Sequence, residues 1–176
     1  MKAFSLTYAE ALFALCNEEG KADAVMEELS QVSSVIDENR EYAIILDSPT
    51  IPLDERLDLI DTAFKGAEEY VVNFIKILCE KKCVHLLKDC VKQYKKLYNK
   101  ERNIENVTVI TAVPLGDSLR EKLVSKLEKE SGKKIVLDLK VDKSLLGGIV
   151  LRTENSQTDA SVRARLEAVR KALSYN

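Results

Sequence analysis

The spacing of apolar residues changes once along this 176-residue chain, near Glu105. Before that point apolar side chains recur at steps of three and four, the signature of helix faces. After it the β-branched run Val107-Thr108-Val109-Ile110-Thr111 opens a strand pattern. One uniform architecture cannot satisfy both periods. The sequence therefore predicts an α+β protein: an all-helical domain of six helices over residues 1–104, then a small α/β domain over residues 105–176.

The helical part is punctuated clearly. The first helix is expected over Thr7 to Glu19, capped by Ser5 or Thr7 and stopped by Gly20. Tyr8, Leu12 and Leu15 form one stripe on it, and Ala9, Phe13 and Cys16 an adjacent one. Together they make a face wider than one neighbouring helix requires. The second helix, Ala22 to Asn39, carries Val25, Leu29, Val32 and Ile36. A short third, Glu41 to Leu46, runs into Ser48-Pro49-Thr50-Ile51-Pro52. There Pro52 suits the first turn of a fourth helix, because its missing N–H has no intrahelical partner to lose. That helix uses Leu53, Leu57, Ile60 and Phe64 and ends at Gly66. The fifth, Glu68 to Glu80, is apolar nearly all round, so it is central or covered by a partner. The sixth, Val84 to Glu101, sets Leu87, Cys90, Val91, Tyr94, Leu97 and Tyr98 against a lysine-rich face.

In the second part a helix over Asp117 to Ser131 is closed by Gly132. Ile135 to Val141 reads as a half-buried strand with Ile135, Leu137, Leu139 and Val141 inward. Gly148 to Arg152 is a further strand, and Glu154-Asn155-Ser156 a turn. Asp159 is expected to cap a last helix whose Val162, Leu166, Val169 and Leu173 face the core.

Composition excludes several classes. No run of eighteen apolar residues is present, so no segment is expected to span a membrane. The N-terminus enters an amphipathic pattern at once, without a signal or transit pattern. The four cysteines, Cys16, Cys79, Cys83 and Cys90, form no CxxC pair, and three of them sit on apolar helical faces. That suits reduced thiols in the cytoplasm. Net charge is −2, but residues 1–69 hold 5 basic and 16 acidic side chains while residues 70–176 hold 22 and 13. The second half can meet an acidic partner.

No motif carries catalytic chemistry. Gly147-Gly148 precedes a strand and lacks the rest of a phosphate loop, so a backbone bend or close strand packing is the better reading. His85, the one histidine, has no recognisable nucleophile or orienting carboxylate. Asp54, Glu55, Asp58 and Asp61 read as a solvated helix exterior. The 8 basic residues between Lys81 and Arg102 raise nucleic-acid binding, yet Tyr94 and Tyr98 share the apolar stripe and look like core. No enzyme activity, cofactor or metal site is expected. The apolar surplus of the first and fifth helices remains, and it fits either ordinary core packing or a groove for a partner's amphipathic helix.

Five segments in order, over nearly the whole chain, resemble the delta subunit family of F-type ATP synthases. This is the bacterial counterpart of the mitochondrial oligomycin-sensitivity-conferring protein. The segments are Tyr8-Ala9-Glu10-Ala11-Leu12-Phe13, then Ser48 to Pro52 with Arg56, then Val107 to Leu115, and Asp142 to Arg152 continuing into Asp159 to Leu166. Departures are Arg56 where lysine is more usual, Thr7 in place of a basic residue, and Thr153-Glu154-Asn155 in place of a glycine hairpin. Cys83 also stands where glycine or arginine is common.

The resemblance implies a non-catalytic stator connector. It would tie the catalytic head to the peripheral stalk against rotor torque, so that proton flow drives ATP synthesis. Its N-terminal bundle would hold the N-terminal segment of an alpha subunit on helices one and five, with Tyr8, Ala11, Leu12, Leu15, Val71, Phe74, Ile75 and Leu78 as candidates. The C-terminal domain would meet the b subunits, with Arg163, Arg165, Arg170 and Lys171 as candidate pairing residues. The protein is expected to be a monomer when isolated. It would be peripheral at the cytoplasmic face of the bacterial plasma membrane, reaching the membrane only through the complex, and no nucleic-acid partner is expected. The alternative is a helical adaptor or nucleic-acid-binding protein using the basic face of the sixth helix.

Overall fold

A computed structural model describes residues 2–153 and 156–174, with the backbone alone given for 2, 3, 168, 169 and 171–174. Two compact units divide it, Met1–Asn99 and Lys100–Asn176. The described elements are eight α-helices and four strands, an α+β composition.

The first unit contains α1 (Lys2–Glu18), α2 (Ala22–Glu38), α3 (Arg40–Asp47), α4 (Leu53–Ala63), α5 (Glu69–Glu80), a 3-10 turn (Val84–Leu86) and most of α6 (Leu87–Glu101). They share one core. α5 supplies Val71, Phe74, Ile75, Leu78 and Cys79, all buried, at the i, i+3, i+4, i+7, i+8 spacing of a single broad face. It is thus less uniform than its sequence suggests, since Ile77 lies 43% exposed. Ala9, Leu12 and Cys16 of α1 and Val25, Leu29 and Ile36 of α2 join the same cluster. Each fully buried aliphatic side chain there stabilises the fold by about 1.5–3 kcal/mol.

Helix ends follow local chemistry. Gly20, at φ +67°, donates its N–H to Asn17 O while the Lys21 N–H reaches Cys16 O at 2.8 Å. This paired αL ending satisfies carbonyls that the helix itself leaves open. α5 ends the same way around Lys82, at φ 54°, with the Cys83 N–H on Leu78 O at 2.8 Å.

Three expectations for this unit need correction. α1 begins at Lys2, so Ser5 and Thr7 lie inside it rather than capping it. Phe4 stacks on Tyr8, ring centroids 4.1 Å apart, and carries the apolar face one turn further back. Pro52 stands at the N-cap of α4, at ψ 144°, not in its first turn. The sixth helical segment starts as a 3-10 turn, because the Asp47 carboxylate from α3 accepts the Val84 and His85 N–H groups at 2.7 and 3.1 Å.

The second unit holds β1 (Ile104–Thr111), α7 (Asp117–Ser131), β2 (Lys134–Val141), β3 (Ile149–Arg152), β4 (Gln157–Asp159) and α8 (Val162–Ser174), with sheet order β2-β1-β3-β4. β1 pairs with β2 in parallel from Ile104↔Lys134 to Thr111↔Val141, and with β3 antiparallel through Val109↔Leu151. Leu123, Val124 and Leu127 of α7 pack on Val107, Val109 and Ile135.

Gly148 has φ +84°, and a Cβ there would lie 2.6 Å from Ala160 O. Close backbone approach therefore accounts for glycine at this position, as the strand context suggests.

Here too the structure corrects the sequence reading. The inward alternation of β2 holds at Ile135 and fades, leaving Leu139 and Val141 exposed, because the α7 side chains that pack on the sheet meet it around Ile135. Val162 and Leu166 of α8 are exposed rather than in a core, while Val169 and Leu173 lie outside the described side chains. Asp159 is not the helix cap. It ends β4 and accepts the Ser161 N–H, and Ser161 Oγ accepts the Ala164 N–H in its place. β4 itself was not anticipated. Of the expected turn, Glu154 and Asn155 lie outside the described residues, and Thr153 and Ser156 are joined by the Thr153 N–H on Ser156 O at 2.8 Å.

Candidate functional site

The sequence leaves the first and fifth helices with more apolar surface than packing needs, and the structure divides that surplus. Of the eight candidates, Leu12, Val71, Phe74, Ile75 and Leu78 are core side chains. They face inward because α5 packs against α1, α2 and α4. Tyr8 is half-buried, Ala11 is exposed and Leu15 is 46% exposed. With Phe4 these three run along α1 at steps of four, three and four, so they form one ridge on the helix surface. Sequence periodicity put Leu12 and Leu15 in one stripe. They lie about 60° apart round the axis, one on each side of the boundary between core and solvent.

Arg56 is 95% buried without a carboxylate partner. Its Nη1 donates to Leu46 O at 2.7 Å and to Cys79 O at 3.2 Å, and its Nε to Ile51 O at 3.1 Å. Leu46 and Cys79 stand in the last turns of α3 and α5, where helix dipoles concentrate negative potential. The guanidinium therefore joins two helix C-termini to the proline turn. It is structural rather than catalytic.

His85 does have an orienting carboxylate. Its Nδ1 lies 2.6 Å from Asp47 Oδ2, a residue 38 positions away that sequence spacing could not have flagged. No nucleophile completes the pair among the described contacts, and Asp47 is already engaged as the cap of the 3-10 turn. Beside it an open cleft of about 620 Å³ has Ile36, Ala43, Ile44 and Leu87 in its lining and the Asp37–Lys88 pair at 2.7 Å on its rim. This cleft too was missed in the sequence, because its walls come from three separate helical segments.

Three of the four thiols, Cys16, Cys79 and Cys90, are buried. Burial pushes Cys16 and Cys79 up, and Cys90 up to about 11. A thiol held protonated is a poor nucleophile and metal ligand. No group of three or more His, Cys, Asp or Glu that could hold a metal occurs among the described residues. Tyr94 is buried, with its hydroxyl on Ala22 O at 3.3 Å, so it is no stacking platform for bases.

On α8, Arg163 pairs with Glu167 at 3.1 Å, while Arg165 and Arg170 are exposed. The Lys171 side chain lies outside the described residues.

Two units, each with its own core, carry exposed apolar and charged side chains on their surfaces. Comparison with known proteins assigns a family. The family model for the ATP synthase delta (OSCP) subunit matches residues 5–173. The chain is 34% identical to the ATP synthase subunit delta of Acetivibrio thermocellus, over 98% of both chains. It is 32% identical to that of Clostridioides difficile, over 95% of this chain and 93% of that one. Its fold matches a chain in the mitochondrial ATP synthase hexamer of Toxoplasma gondii with a TM-score of 0.72, at 22% identity and 96% coverage of both. The chain belongs to the ATP synthase delta (OSCP) subunit family, and it is a non-catalytic subunit of the F-type ATP synthase stalk. No helix among the described residues is long and apolar enough to cross a membrane.

Proposed function

We propose that this subunit ties the catalytic head to the peripheral stalk by one attachment on each unit, with residues 1–104 acting as a six-helix bundle on the head and residues 105–176 meeting the b subunits. The bundle takes the N-terminal segment of an alpha subunit as an amphipathic helix along α1. The observation that carries this is the ridge of Tyr8, Ala11 and Leu15, which leaves apolar side chains in water although the core beneath is complete. The small Ala11 between two larger side chains allows a partner helix to approach closely. Leu12, Val71, Phe74, Ile75 and Leu78 hold that ridge in place from behind. Arg163, Arg165, Arg170 and Lys171 steer the stalk toward the second unit, a role rim charges perform through association rate and register. The complex would lie at the cytoplasmic face of the bacterial membrane.

Calorimetric titration of the full chain with a peptide from the N-terminus of the cognate alpha subunit tests the first attachment. One-to-one binding is expected, weakened at least about tenfold by Leu15→Asp, as for a central apolar contact. The thermal unfolding midpoint should stay within a few degrees. Equal binding by wild type and Leu15→Asp would remove α1 as the docking face. Leu12→Asp is unsuitable, because it places a charge in the core.

A further inference from the structure

The cleft of about 620 Å³ in the first unit is walled by three helical segments. Ser33, Ile36 and Asp37 come from α2 and its last turns. Arg40, Ala43 and Ile44 come from α3, and Val84, Leu87 and Lys88 from the 3-10 turn and α6. Each set has the i, i+3, i+4 spacing that puts three side chains on one side of a helical segment. Leu46, round the axis of α3, is fully buried in the core, while Ile44 is 69% exposed at the cleft. The volume falls in the range of sites for small organic molecules, about 300–1,000 Å³.

The polar groups of the lining are unequally satisfied. Both carboxylates are answered. Asp37 accepts from Lys88 Nζ at 2.7 Å, and that ammonium holds its carboxyl below the usual carboxylate range. Asp47 accepts the Val84 and His85 N–H groups at 2.7 and 3.1 Å and faces His85 Nδ1 at 2.6 Å. Lys88 and His85 are thereby engaged. Two donors remain. Arg40 makes no ion pair with the described residues and acts on Asp37 only at longer range. The Ser33 hydroxyl has no hydrogen-bond partner among them, although Ser33 is only 8% exposed. Other serines of α2 differ: Ser30 Oγ donates to Met26 O at 2.8 Å and Ser34 Oγ to Ser30 O at 3.1 Å. Among the described residues no sealed side-chain polar atom lacks a partner, so Ser33 Oγ opens onto the cleft it lines. A polar group so nearly buried is normally paired.

Apolar walls, no open carboxylate and two open donors fit an anion carried on an apolar body. A carboxylate suits them best, because a guanidinium meets its two oxygens with parallel N–H bonds and a hydroxyl adds a further donor. A cation would find only carboxylates already engaged.

We propose that this cleft binds a small free monocarboxylate with a medium-length alkyl chain, its carboxylate at Arg40 and Ser33 and its chain against Ile36, Ala43, Ile44 and Leu87. No residue of α1 lines the cleft, so the site is separate from the proposed head attachment.

The test uses the full chain and decanoate at concentrations where it is monomeric. Affinity is read by calorimetry and the location by amide chemical shifts. Saturable one-to-one binding is expected, with a Kd below about 1 mM. The thermal midpoint should rise with decanoate. Shifts should be confined to the end of α2, α3 and the stretch from Val84 to Lys88. Arg40→Gln changes an exposed position and should weaken binding at least about fivefold, with Arg40→Lys losing less. Ile44→Ser, also at an exposed position, should weaken it about threefold or more. Decanol should bind more weakly than decanoate, and decylammonium should not bind. Absence of saturable binding to the wild type would overturn the proposal. Equal binding by wild type and Arg40→Gln, or by decanol and decanoate, would remove the anion site. Displacement by the alpha peptide with shifts along α1 would place decanoate on the α1 ridge and overturn the cleft as its site.

Discussion

At the scale of single residues, two environments decide what the chain can do chemically. Arg56 is a buried cation whose charge is answered by backbone carbonyls rather than by a carboxylate. Replacing it with methionine keeps the volume but takes a donor from the carbonyls of Leu46, Ile51 and Cys79. An unsatisfied buried polar group costs about 1–3 kcal/mol; Leu46 O retains the Cys79 thiol at 3.3 Å and Cys79 O the Lys82 N–H at 3.0 Å, so the loss falls mainly on Ile51 O. Arg56→Met should therefore lower the urea midpoint by the equivalent of about 1–3 kcal/mol, with an unchanged m-value. Arg56→Lys, which keeps the cation but not the planar fork, should lose less. An unshifted midpoint in Arg56→Met would show that water replaces the guanidinium at no cost. The cysteines differ by burial in the same way. Cys90, pushed up to about 11, is scarcely ionised at pH 8, whereas Cys83 is half-buried at the α5 turn. Iodoacetamide on the native protein at pH 8 should modify Cys83 first and reach Cys16, Cys79 and Cys90 only as the first unit unfolds. Modification of Cys90 at the Cys83 rate, seen by peptide mass mapping, would contradict a buried, protonated thiol.

Elements show which signals a sequence carries and which it does not. α2, α5 and α7 were legible because each carries an apolar stripe at helical spacing, and α7 also has a stop, Gly132 at φ +67° closing it on Glu128 O. What could not be read depends on residues far apart in the chain. β4 is three polar, exposed residues with no alternation, and it exists because β3 offers it an edge through Leu151↔Thr158. The 3-10 start of the sixth segment depends on Asp47, and the exposed end of β2 on how far α7 reaches. The candidate surface on α1 was half legible: the width of its apolar face signals an excess, but only the packed structure separates Leu12 from Leu15. Gly147-Gly148 was legible as a bend, and its reason is now specific. An alanine Cβ at 148 meets Ala160 O at 2.6 Å and Ser161 Cα at 2.8 Å, both backbone atoms that cannot swing aside, in a backbone region that also disfavours L residues. Gly148→Ala should destabilise the second unit by roughly 2 kcal/mol or more, since strained φ and overpacking each cost about 1–3 kcal/mol. Amide exchange should quicken in β3, β4 and α8 while α1–α5 keep their protection. Uniform loss of protection across both units would mean that they do not unfold separately.

For the whole molecule the question is mechanical. A subunit that resists torque between two bodies is a chain of attachments in series, and the load passes through each in turn. The charge pattern suits two different partners: residues 1–99 hold 12 basic and 18 acidic side chains, against 15 and 11 in the remainder. On the proposed reading the two attachments act in series, and neither substitutes for the other. It follows that weakening either should uncouple the enzyme to the same end point. In membranes carrying the intact ATP synthase, Leu15→Asp at the proposed head attachment and the combined Arg163→Glu, Arg165→Glu and Arg170→Glu at the proposed stalk attachment should each lower ATP-driven proton pumping strongly. ATP hydrolysis by the head should persist, since this subunit supplies no catalytic group. The variant carrying both sets of changes should be no worse than the poorer of the two, since a series linkage fails at its weakest point and a second break adds nothing. Attachments acting in parallel would behave otherwise: each variant alone would retain substantial pumping, and only their combination would abolish it. Proton pumping by acidification-sensitive dye quenching, normalised to the ATP hydrolysis rate of the same membranes, separates these outcomes. A parallel pattern would overturn the two-ended connector even if both docking surfaces were correct.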